Sequence, residues 1–185
     1  MQNATEPEAE RSGHSIVVIG ASAGGVETLI RVVRGLPTDL AATVCIVLHL
    51  APGSPSALPS ILQRASSLPC RPAEDGAPLR PGEILVAPPD RHLTVEDGQV
   101  SLTVGPRENG HRPAIDALFR TAAVAQDGRV IGVILSGTRD DGTAGLAMIK
   151  SCGGTAVVQD PEEAMYPGMP ASAIAHVAVD IVVRS

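Results

Sequence analysis

Three chemically pointed side chains follow three apolar runs. Ser22 lies in GASAGG after VVI, His49 lies in VLHLAPG after ATVCI, and Asp140 and Asp141 lie in GTRDDG after RVIGVILS. A serine, a histidine and a carboxylate are the parts of an acyl-transfer centre: nucleophile, general base, and the group that orients the base. The glycines around Ser22 permit a sharp strand-to-helix turn that exposes a hydroxyl, as in a G-x-S-x-G elbow. The N–H groups opening the next helix lack intrahelical partners and can donate to a developing oxyanion. Each residue also has a plainer role, Ser22 or either aspartate as a helix N-cap and His49 as an ordinary strand-end histidine. Their coincidence at three strand ends favours the catalytic combination. A dinucleotide site would need a glycine where Ser22 stands and an acidic residue where the second strand ends in His49, so it fits less well.

The elements that must position these residues alternate. SIVVIG reads as a buried strand, VETLIRVVRGL carries apolar residues at helical spacing, and ATVCIVL is a second buried strand. Such a unit closes right-handed with its strands parallel, so Ser22 and His49 are expected at strand ends about 5 Å apart, or about 10 Å with one strand between. ALPSILQRA is helical and EILVAP a strand, while HLTVEDGQVSLTV is a hairpin around Asp97-Gly98, expected at one end of the sheet. Pro113 is expected to open the helix PAIDALFRTAAVAQ from its first position. Strand RVIGVILSG, helix TAGLAMIKS, strand TAVVQ, helix PASAIAHV and strand VDIVV complete the chain. No repeat or linker divides it. The pattern predicts one α/β domain, a doubly wound, largely parallel, Rossmann-like sheet with an antiparallel β-hairpin.

Composition narrows the function classes. With 185 residues and a net charge of −6, the chain offers no broad basic footprint for nucleic acid. No apolar run approaches the roughly 18 residues of a membrane-spanning helix, so no membrane insertion is expected. Cys45, Cys70 and Cys152 are widely spaced without a CxxC pair; with no secretory leader they suggest a cytoplasmic protein, and neither a metal site nor a cofactor is expected. Residues 1–14 are polar and acidic and are expected to form a mobile tail, leaving 15–185 as the domain.

With these residues placed, the sequence resembles the catalytic domain of the CheB-type chemotaxis receptor methylesterases. The likeness runs through VVIGASAGGVE, VLHLAPG, AEDGAPLRPGEILVAPPDRHL, GHRPAIDALF, GVILSGTRDDGTAGL and YPGMPASAI, in that order. It implies Ser22 as nucleophile, His49 as general base and acid, and Asp141, immediately before Gly142, as the orienting carboxylate. The implied reaction is hydrolysis of glutamate γ-methyl esters on the cytoplasmic helices of methyl-accepting chemoreceptors, with deamidation of receptor glutamines as a second activity. Ala23 and Thr138 are candidates around the oxyanion and substrate; they stand where threonine and methionine are frequent in the family. Asp140 replaces a common asparagine, and Arg112 is a candidate for contacting acidic receptor surface or, alternatively, an ordinary ion-pair residue. The receiver domain typical of the family is not expected in this chain, so control is expected to come, if at all, from a separate regulatory protein. The alternative is a noncatalytic module that docks on receptor or scaffold helices.

Overall fold

In this computed structural model, residues 14–49 and 56–184 are described. The expected acidic tail lies outside them except for His14, whose Nε2 is 2.7 Å from Thr43 Oγ1. The chain runs β1 (Ser15–Ala21), α1 (Gly25–Gly35), β2 (Ala42–Leu48), α2 (Leu58–Ala65), β3 (Cys70–Pro72), β4 (Ile84–Val86), β5 (His92–Glu96) and β6 (Gln99–Thr103). It continues through α3 (Ile115–Ala125), β7 (Val130–Ile134), α4 (Thr143–Ser151), β8 (Thr155–Gln159), α5 (Gly168–His176) and β9 (Ile181–Val183).

Seven strands form one sheet in the order β3-β4-β2-β1-β7-β8-β9, and every pairing in it is parallel. Each residue of β2 is buried, as a strand covered by helices on both faces must be. One face packs against α1 and α2 through Leu29, Val33, Leu58 and Leu62. The other packs against α3, α4 and α5 through Leu118, Phe119, Leu146, Ile149, Met169 and Ala173. Removing side chains such as Leu29 and Phe119 from water is worth about 1.5–3 kcal/mol each. The sheet is thus the doubly wound α/β arrangement that the strand and helix alternation predicts.

Chain order reverses at β1, whose neighbours are β2 on one side and β7 on the other. In open parallel sheets the crevice at such a reversal, beyond the carboxyl ends of the strands, is where ligands sit. The three strands that end there are those followed by Ser22, His49 and the Thr138–Asp141 loop.

Four local details depart from expectation. The hairpin β5-β6 turns at Asp97-Gly98, as anticipated, but forms its own two-stranded sheet rather than an end of the large one. It lies against α3, with the Val95 N–H donating to Thr121 Oγ1 at 3.1 Å. Strand β3 was not anticipated, because three residues ending in Pro72 carry too little pattern. Pro113 does not open α3: it follows a cis peptide bond, Ala114 is the extended N-cap, and the helix begins at Ile115. Finally, α5 begins at Gly168, ahead of Pro170, which the first turn accepts because N–H groups there have no helical partner.

Candidate active site

Ser22 stands one residue beyond β1, on a turn tied to its neighbours by the backbone. The Ser22 N–H donates to the Ser136 carbonyl at 2.9 Å, and the His49 N–H donates to the Ala21 carbonyl at 3.1 Å. The chain then turns through Gly24 at φ 70°, a left-handed conformation that glycine adopts without a steric penalty, and Gly24 is the N-cap of α1. No side chain caps that helix, so the Ser22 hydroxyl is not spent as an N-cap. Likewise Gly142 at φ 95° is the N-cap of α4, again with no side-chain cap, which leaves Asp141 for other partners.

Those partners join the three residues. His49 Nδ1 lies 3.1 Å from Ser22 Oγ, and His49 Nε2 lies 2.7 Å from Asp141 Oδ2. An ionised carboxylate only accepts, so the neutral ring carries its proton on Nε2 and presents Nδ1 as acceptor to the serine hydroxyl. This is the reverse of the ring assignment in chymotrypsin-like triads, with the same chemical sense.

Asp141 is 1 % exposed and fully engaged. Besides His49, its Oδ2 accepts the Ile115 N–H at 2.8 Å, and its Oδ1 accepts the Asp116 N–H at 3.1 Å and the Asn109 amide at 2.8 Å. Burial pushes this carboxyl up, but the hydrogen bonds from His49, Ile115 and Asn109, with the charge of His49, outweigh it and hold the pKa at about 2. The group is therefore an anion over the whole neutral range.

Three further residues surround this chain of bonds. Asn109, itself at φ 51°, donates to Asp116 Oδ2 at 2.8 Å as well as to Asp141, so one amide bridges two buried carboxylates. Asp116 Oδ1 accepts the Gly145 N–H at 2.7 Å, and a Cβ on Gly145 would overlap Phe119, which is why α4 approaches α3 closely enough for that bond. Burial and then, less strongly, the charge of Asp141 raise the Asp116 carboxyl, against the opposing hydrogen bonds of Gly145 and Asn109. His111 lies flat on the His49 ring, with centroids 3.6 Å apart. All three fall within or beside the segment GHRPAIDALF, yet its apolar spacing announces only a helix. The turn geometry of Asn109 and the stacking of His111 depend on contacts with β2 and the Asp141 loop, which no local pattern records.

The other sequence candidates divide. The N–H groups of Ala23 and Thr138 make no hydrogen bond among the described residues. Gly137, just before Thr138, packs so closely on Ser22 that an added Cβ would stand 2.9 Å from Ser22 Cβ. Ala23 and Thr138 are therefore both beside the serine, each with a free donor. Arg112 is committed elsewhere: its Nε and Nη2 reach Asp90 Oδ1 at 3.0 and 2.7 Å, and its Nη1 donates to the Gly105 carbonyl at 2.7 Å. Asp140 is exposed and lines a cavity of about 370 Å³ with Asn109, Asp116, Thr143, Ser172 and His176. A larger cavity of about 710 Å³, between the hairpin and α3, contains none of the three central residues. In the segment VLHLAPG, the residues after His49 lie outside the described ones. Among the described residues no group of three or more His, Cys, Asp or Glu is placed to hold a metal ion, and no helix is long and apolar enough to cross a membrane.

A parallel α/β sheet with serine, histidine and aspartate linked across its strand ends defines the class, a domain built like a serine hydrolase. The comparisons with known proteins are consistent with that class, and the chain belongs to the CheB methylesterase family, whose model matches residues 17–185. The crystal structure of the Thermotoga maritima CheB methylesterase catalytic domain superposes with a TM-score of 0.88 at 36% identity, covering 93% of each chain. A protein of Leptospira interrogans is 40% identical over 170 residues, 91% of this chain and 88% of its own. Protein-glutamate methylesterase/protein-glutamine glutaminase 2 of Anaeromyxobacter dehalogenans is 41% identical over 89% of this chain, and a protein of Geobacillus kaustophilus named for the same two activities is 39% identical over 95%. The chain spans only 48% and 52% of those two proteins.

Proposed function

We propose that residues 15–185 form a catalytic unit that hydrolyses glutamate γ-methyl esters on the cytoplasmic helices of methyl-accepting chemoreceptors, releasing methanol. The observation that carries this is the continuous chain from Ser22 Oγ through both ring nitrogens of His49 to Asp141. Ser22 Oγ attacks the ester carbonyl carbon while His49 Nδ1 takes the hydroxyl proton. The oxyanion forms beside the free N–H groups of Ala23 and Thr138. Collapse of the tetrahedral intermediate breaks the bond to methoxide, which receives the proton from Nδ1 and leaves as methanol. Water, deprotonated by the same nitrogen, then attacks the acyl-enzyme, restoring Ser22 and freeing the glutamate carboxylate. Asp141 stays ionised throughout, fixing the tautomer and stabilising the imidazolium.

Deamidation of a glutamine follows the same steps with ammonia leaving in place of methanol, and it is supported by the paired activities in the names of the relatives. The protein would then act in the cytoplasm, where those receptor helices lie. The decisive experiment measures methanol release from methylated receptor cytoplasmic fragments with the intact protein and with Ser22→Ala. Release by the intact protein that falls by about 10⁴-fold or more in the variant is expected. No release from the intact protein across several receptors would leave a docking module instead.

A further inference from the structure

We infer that Arg139 forms a cationic rim on the His111 side of the site that selects acidic polypeptide segments as substrates. This rests on the hydrolase reading above. Among the described residues five non-glycine residues have positive φ, and four of them are Asp90, Asp97, Asn109 and Asp127. Aspartate and asparagine enter the left-handed region readily, whereas an arginine there is strained by its Cβ. Arg139, at φ 65°, is the exception. Strain of this kind persists where something else makes use of it.

Nothing inside the described structure uses the guanidinium. Arg139 is exposed and makes no hydrogen bond or ion pair among the described residues. Its Nη1 lies 3.8 Å from where a Cβ on Gly110 would stand, so the side chain reaches over the turn that leads to His111. Burial is the main cause that lowers the His111 pKa and the charge of His49 the next, and the charge of Arg139 pushes the same way. Arg112, by contrast, is neutralised by Asp90. Arg139 thus offers an unpaired guanidinium at the edge of the site.

The reach suits a helical substrate. Arg139 lies two residues from Gly137, at most about 7 Å along the chain from the glycine that packs on Ser22. Neighbouring turns of a helix are about 5.4 Å apart, so a carboxylate one or two turns from the esterified glutamate comes within range of the guanidinium. Arginine also matches a carboxylate with two parallel donors, which lysine cannot do. Since the contact is remote from the bond that breaks, it should act on KM and leave kcat unchanged.

The test uses two helical peptides carrying one γ-methyl glutamate, identical except that the residues one turn away on either side are Glu in one and Gln in the other. With the intact protein, kcat/KM should favour the Glu peptide by about 5- to 20-fold at low salt and lose that preference as salt screens it. In Arg139→Gly the ratio should fall towards one, through KM. Arg139→Lys should retain part of it. Because glycine relieves the backbone strain, Arg139→Gly should melt no lower than the parent, and its Ser22 should react with a neutral fluorophosphonate at the parental rate. Hydrolysis of both peptides with a ratio that Arg139→Gly does not change overturns the inference and spares the hydrolase reading. Failure of the intact protein on both peptides removes the hydrolase reading, and this inference with it.

Discussion

His111 lies face to face on His49, with ring centroids 3.6 Å apart and planes 5° from parallel. Two imidazolium rings at that distance would repel strongly, so charge on His49 disfavours a proton on His111. Burial is the main cause that lowers the His111 pKa, the charge of His49 the next, and the Asp141 carboxylate pulls the opposite way. His111 should therefore titrate below the ordinary histidine value of about 6.5 when followed by NMR. His49→Gln, which removes the second cause, should move its midpoint upward. The sign for stability follows: the unfolded chain binds this proton more readily, so the contribution of His111 is complete above about pH 6.5 and declines as pH falls through its depressed folded value. A His111 midpoint that ignores His49→Gln would mean that the stacked rings do not share charge.

Asp141→Asn should be severe for two separable reasons. A carboxamide cannot hold His49 with Nε2 protonated as firmly as an anion does, and turnover should drop by about 10⁴-fold. Either carboxamide orientation also sets an NH2 against a backbone N–H, that of Ile115 or that of Asp116. Chemical denaturation should show a loss of about 1–3 kcal/mol from that mismatch. The intact carboxylate, held at about 2, stabilises the fold above the ordinary value near 3.9, and that contribution of about 2 kcal/mol is lost as pH falls from about 4 to 2. Asp116 is shifted the other way and opposes the anionic fold, so its protonation on acidification partly offsets the loss. In Asp141→Asn the acid sensitivity between about pH 4 and 2 should be smaller than in the parent.

Asn109→Ala removes the one amide that satisfies both buried carboxylates. Each loses a donor, and their mutual repulsion is no longer mediated. Hydrogen bonds to charged groups contribute about 1.5–3 kcal/mol each. The denaturation midpoint should fall, and methanol release should weaken through loss of Asp141 orientation while fluorophosphonate labelling of Ser22 slows in parallel. Unchanged labelling in a destabilised variant would make Asn109 a structural strut with no hold on the serine.

The legible part of this molecule is its repeating part. ATVCIVL and TAVVQ are strands at the ends read from their apolar runs, and SIVVIG extends by one residue to Ala21, because a strand buried on both faces needs uninterrupted apolar residues and its length is set by where they stop. Ser22, His49 and the pair Asp140 and Asp141 stand out for a related reason, since strand ends at the chain reversal are where polar chemistry collects, while the choice of Asp141 over Asp140 comes from the family resemblance. Asn109, His111 and Asp116 were hidden. The first two act through tertiary neighbours more than 30 residues away, just after β2 and before α4, and Asp116 reads locally as an acidic residue in the first turn of a helix, which needs no further explanation. Arg112 leaves two roles open from its type alone, an acidic receptor contact or an ordinary ion pair, and Asp90, 22 residues earlier, engages it as the second.

Gly137 is the backbone position on which the serine most depends. It follows Ser136, whose carbonyl accepts the Ser22 N–H and whose hydroxyl donates to the Ala23 carbonyl at 2.8 Å. Its own N–H donates to the Tyr166 carbonyl and its carbonyl accepts the Met169 N–H, both at 2.9 Å, so it cannot slide away. A Cβ here would collide with Met169 Sδ on one side and stand 2.9 Å from Ser22 Cβ on the other. Met169 is buried but flexible and can yield in part; the serine turn, held by backbone bonds on both sides, yields less. Gly137→Ala should therefore cost about 1–3 kcal/mol of stability by overpacking. It should also displace Ser22 from His49 and shift the neighbouring Thr138 N–H, lowering kcat by about 10²-fold or more, since a misplacement of about 1 Å has that effect. Gly35→Ala is the control, because a Cβ there meets nothing within 4 Å. It should leave both turnover and melting temperature near the parental values, and a comparable loss in the two variants would mean that the close packing of Gly137 on Ser22 is incidental to the chemistry.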